Sequence, residues 1–157
     1  MQPIDYYERL NAEITGAHPV TGPYSPDDEI AAAQMNAENI TEVMAETRVT
    51  ELDILRVFDD PQDGHNALVK MEAASQADAL LARTLQWLGP QSSKGLDVGN
   101  QSVRANIDAM AQAGVLTAAE RDTIKGIAER QVSRASQLGL KTMKPGYVQK
   151  SRTVRVP

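Results

Sequence analysis

Helix starts and stops punctuate this chain at short intervals, and that punctuation limits its fold more than any other feature. Ser25-Pro26-Asp27-Asp28-Glu29 sets a hydroxyl cap, a proline at the first helical position and acids where the helix dipole favours anions. Thr50 stands before Glu51-Leu52-Asp53, and Thr117-Ala118-Ala119-Glu120 reads as a capping box, in which cap and third residue exchange hydrogen bonds. Gly89-Pro90, Gly114 and Gly139 are matching stops. Between these signals apolar residues recur at helical spacing. The pattern predicts helices over 3–14, from Pro26 through Ile40 towards Met44, over 50–58, over 65–88, over 102–113 and over 118–129. A short turn follows from Ser133 to Gly139. Gly126 inside a helix costs about 1 kcal/mol against Ala, which suggests a close helix contact there. Residues 90–100 are the one loop open to a short extended piece. The sum is an all-α fold: a small domain of six to seven helices over 1–140, then an extended basic C-terminal arm over 141–157.

A chain of 157 residues fits one domain and can bury its own core. With no cysteine, neither disulfides nor thiolate metal sites are open to it. No secretory leader is expected, because MQPIDYYERL lacks a basic start and an apolar run. No stretch approaches the ~18 apolar residues of a membrane span. The expected location is the cytoplasm or a particle assembled there.

Charge is divided unevenly. Residues 1–63 hold three basic side chains, Arg9, Arg48 and Arg56, against fourteen acidic ones. From Val132 onward there are six basic residues (Arg134, Lys141, Lys144, Lys150, Arg152, Arg155) and no acid. Such a split points to distinct partner surfaces. Basic residues interleaved with Tyr147 suit nucleic-acid phosphate, an acidic protein surface or a neighbouring copy. In a chain of net charge −5, protein docking is the favoured expectation, through Arg134, Lys144, Tyr147, Lys150, Arg152 and Arg155.

Chemistry-bearing motifs are few. His18 and His65 have no partner at the i, i+4 spacing of helical metal sites. Asp59-Asp60-Pro61-Gln62-Asp63-Gly64 resembles the start of a calcium loop, but Pro61 holds a ligand position and Lys70 stands where a bidentate Glu is required. Gly95 and Gly99 are not followed by the Lys-Ser/Thr of a phosphate loop, and no nucleophile elbow is present. No enzyme activity, cofactor or metal is expected. Residues 102–129 could form a helix–turn–helix, but the second helix is nearly balanced in charge where a DNA reader needs net positive charge. A small DNA-binding or regulatory protein using that hairpin and the arm is the alternative function.

VLTAAERDTIKGIAERQVSRASQLGL followed by PGYVQKSR resembles the C-terminal half of a diffuse group of short proteins encoded among the virion genes of tailed bacteriophages. Ala113-Gly114-Val115-Leu116-Thr117 matches their helical hairpin. Ser133-Arg134-Ala135 with Leu138-Gly139-Leu140 matches their Ser-Arg-Ala-x-x-Leu-Gly-Leu turn, and Gly146-Tyr147-Val148 with Arg152 matches their ending. HPVTGPYSPDDEIAAAQMN is similar to the group's HPVTGxYxxDDxxAAxxLN stretch. The chain departs from the group at Glu51-Leu52, where the group has Gly-Ser, and at Ser151, where it has Ala. The resemblance implies a virion or assembly role, and the preferred reading is a non-enzymatic structural or assembly protein docking in the head–tail or tail region, with other virion proteins or copies of itself as partners. The resemblance brings no catalytic residue. On this reading, deleting residues 145–157 leaves the helical fold intact and abolishes incorporation.

Overall fold

The computed structural model describes residues 4–86 and 95–153. The chain forms two compact units: residues 1–42 with 131–157, and residues 43–130. Each has its own hydrophobic core.

In the first unit, α1 (Ile4–Ile14) buries Leu10 and Ile14. A tight hairpin follows, β1 (Ala17–His18) with β2 (Gly22–Pro23), in the register Ala17↔Pro23 and His18↔Gly22. Helix α2 (Asp28–Asn36) starts two residues later than the sequence suggests. Its cap is Asp27, whose carboxylate accepts from the Glu29 and Ile30 amides, while the Ser25 hydroxyl accepts from the Asp27 amide. The helix also stops early. Ala37 turns extended and the chain continues as β3 (Glu38–Val43).

The chain returns along β6 (Glu129–Ser133), which pairs with β3. Ser133 caps α8 (Arg134–Gln137) as expected, and left-handed Gly139 ends it, with the Leu140 amide donating to the Ala135 carbonyl. The Asn36 side chain then bonds Met143 on both sides, accepting from its amide at 2.7 Å and donating to its carbonyl at 2.8 Å. This anchors the start of α9 (Pro145–Thr153), which packs on α1 and α2.

In the second unit, β4 (Arg48–Val49) pairs antiparallel with β5 (Leu96–Asp97). Thr50 and Asp53 form a full capping box on α3 (Glu51–Val57). The next helix, α4 (Pro61–Ala77), begins earlier than its apolar stripe suggests, because Asp60 caps it and Pro61 takes the first position. Asp78 interrupts it, with extended backbone and a carboxylate that accepts from the Leu81 amide, so the expected long helix is two: α4 and α5 (Ala79–Leu85). Asn100 caps α6 (Gln101–Gln112), and the Thr117–Glu120 capping box opens α7 (Ala118–Gly126).

Two corrections follow. The fold is not all-α. Among the described residues it is 59% helical with 14% strand, in several small antiparallel sheets. The missed strands are short or hold β-branched residues where helical spacing also fits: Ile40, Thr41 and Val43 in β3, Val132 in β6. Nor are residues 145–153 an extended arm. Pro145 starts a helix, and Val148 and Ser151, three apart, are fully buried on its inner face. No helix among the described residues is long and apolar enough to cross a membrane.

Candidate functional site

The expected docking residues fall into two classes. Arg134, at the start of α8, forms a two-pronged bond with Glu13 of α1, Nε to Oε1 at 2.8 Å and Nη2 to Oε2 at 2.9 Å. Its Nη1 donates to Gln137. Arg152 pairs with Asp28 at 2.8 Å and donates to the carbonyls of Ser25 and Pro26, ahead of α2. Tyr147 is half-buried, with its ring edge-to-face against Tyr6 at 6.1 Å. These three hold the first unit together. Lys144 and Lys150 are exposed, as is Lys141 beside them, and none makes a side-chain ion pair among the described residues. Arg155 lies outside the described residues.

Around Arg134 is a polar cluster that the sequence did not reveal. Tyr24 donates its hydroxyl to Glu13 Oε1 at 2.7 Å. His18, 2% exposed, accepts at Nδ1 from the Val20 and Thr21 amides at 3.1 and 3.2 Å. Its ring meets the Tyr24 ring edge-to-face at 5.6 Å. The bond from Arg134 holds the Glu13 carboxyl below the usual carboxylate range, against desolvation. Burial, then the Glu13 bond, pushes the Tyr24 hydroxyl up. Burial, then the Arg134 charge, lowers the His18 imidazole, with Glu13 opposing. The cluster joins positions 13, 18, 24 and 134, a spacing that no local pattern announces. Beside it, Arg9, Ala12, Glu13, Leu138 and Leu140 line a shallow cleft of about 300 Å³.

In the second unit, the hairpin of α6 and α7 places its cations against acids. Lys125 bonds both Asp108 oxygens at 2.8 and 2.9 Å, and Arg121 bonds Asp122 at 2.8 Å. Arg104 reaches Glu129 and the carbonyls of Val98 and Lys125. Desolvation raises the Glu120 carboxyl, but bonds from Lys70 and Thr117 outweigh it and the net direction is down. Asp59 to Gly64 is a helix start, with His65 exposed on the first turns of α4. Among the described residues, no group of three or more His, Cys, Asp or Glu could hold a metal ion. Comparison of the chain with protein-family models, curated proteins and solved structures finds no match.

Proposed function

We propose that this chain is a non-enzymatic structural or assembly protein of a tailed-bacteriophage virion, docking in the head–tail or tail region against another virion protein or a copy of itself. The docking groups are Lys141, Lys144 and Lys150, with Arg155 as a further cation of the same segment. The observation that carries the reading is the contrast among the basic residues. Arg134 and Arg152 have intramolecular partners, whereas these three lysines are exposed in a segment without acids. Lysines in water gain little from being where they are in the free protein. Facing an acidic surface, they add on-rate and register. The sequence resemblance to virion-gene products supports the same reading. The DNA-binding alternative is weakened by the acids that face Arg121 and Lys125.

The test is mass spectrometry of DNase-treated, salt-washed particles carrying the wild type or a Lys141→Glu/Lys144→Glu/Lys150→Glu variant. The wild type is expected at a fixed ratio to the major capsid protein. The variant is expected to fold with an unchanged circular dichroism spectrum and to fall at least tenfold in incorporation. Absence of the wild type from particles, or equal incorporation of the variant, overturns the reading.

A further inference from the structure

We infer that the hairpin over residues 17–23 carries a protonation-sensitive latch: neutral His18 holds the Val20–Thr21 turn in place, and the imidazolium releases it. The hairpin has little else to fix it. Its ladder is two residue pairs long, and one partner is Pro23, which has no amide hydrogen to give. The turn amides of Val20 and Thr21 bond instead to one side-chain atom, His18 Nδ1. Gln34 of α2 adds weaker support, reaching the Thr21 hydroxyl at 3.4 Å and the Pro23 carbonyl at 3.5 Å.

An imidazole nitrogen can accept only while it carries no hydrogen. Protonation places a hydrogen on Nδ1. Both bonds are then lost and the Val20 and Thr21 amides face a donor. The surroundings do not favour the cation. His18 Nε2 is buried with no hydrogen-bond partner among the described residues. Glu13 from α1 faces the ring, but Arg134 from α8 and the Tyr24 hydroxyl already bond its carboxylate. Arg134 repels the imidazolium, and the Tyr24 ring packs against the imidazole. A buried cation without a partner is removed most readily by moving the turn. At neutral pH the tip therefore keeps one shape and holds Val20 outward, 57% exposed. In acid the tip is free while the rest of its unit stays folded.

The experiment is amide exchange by NMR on the full chain, corrected for intrinsic rates, with the His18 ring titrated in the same samples. Protection of Val20 and Thr21 is expected to fall at least tenfold as His18 protonates, while that of Leu10 and Met35 holds. His18→Asn, whose Oδ1 can accept both amides and does not titrate, is expected to keep them protected across the range. His18→Leu is expected to leave them unprotected at every pH. Flat protection through the ring titration overturns the latch. So does a His18→Asn variant that follows the wild type, or a His18 that protonates only when the whole unit unfolds. If either variant fails to fold, the wild-type comparison of ring and amides decides alone.

Discussion

Glu13 is the residue on which the first unit's polar interior turns. It takes three bonds, two from Arg134 and one from Tyr24, and its side chain is 12% exposed. Charge-assisted bonds in such a setting are worth more than neutral ones. Glu13→Gln is expected to cost about 2 kcal/mol, read from urea unfolding followed by circular dichroism. The pH dependence has a definite sign. A carboxyl held below its unfolded value of 4.5 gives stability that is complete above that value and lost as pH falls through the folded one. His18, held below 6.5, acts at a higher pH: stability falls once pH drops below 6.5, and the loss is complete below the folded value. Acid should therefore weaken this unit in two stages, His18 first. Glu13→Gln should flatten the lower stage and, by leaving the Arg134 charge unopposed beside His18, deepen the upper one, which a series of urea midpoints against pH will show.

Helix ends were legible at five chemical signals but not at Asp27, Asp60 and Asp78, whose carboxylates set helix starts that the apolar spacing does not announce. Thr50, Thr117, Ser133, Gly114 and Gly139 act at the helix ends where their side chains or flexibility place them. The sequence could not show that Ala37 leaves the helix, since Ile40 and Val43 fit a helical stripe as well as a strand. Only pairing with β6, ninety residues away, decides between them. Glycines divide in the same way. Gly126 was expected to permit a close helix contact, yet a Cβ there meets nothing within 4 Å. Gly126→Ala should therefore stabilise the protein by roughly 0.5–1 kcal/mol. Gly99 has the role that Gly126 lacks: a Cβ there would lie 2.1 Å from the Met44 carbonyl oxygen. Backbone cannot step aside as a side chain can, so Gly99→Ala should cost at least about 2 kcal/mol. Thermal unfolding of the two variants side by side checks both signs.

At the scale of the molecule, the largest revision concerns the basic C-terminal segment. Its charge was plain in the sequence, but its burial was not, because two buried residues in nine make a faint stripe. Val148 and Ser151 are fully buried, and the Asn11 side chain donates to the Ser151 carbonyl at 2.7 Å. Deleting residues 145–157 is therefore expected to unfold the first unit, not to leave it intact. Amide protection of α1 and α2 should collapse while that of α6 and α7 persists. Such a truncation would lose incorporation for want of a fold, which is why the lysine substitutions are the sharper probe of docking.

The division of the chain also sets an order of events at the ribosome. All of residues 43–130 are synthesised before β6 is complete and before α8 and α9 exist, so the second unit can fold as it emerges. Residues 1–42 must wait. Until α9 arrives, Leu10, Ala31, Ala32 and Met35 lack the partners that bury them. Residues 1–42 are made before the second unit and finished after it, and for that interval their apolar surface is in the care of whatever chaperone the cell provides.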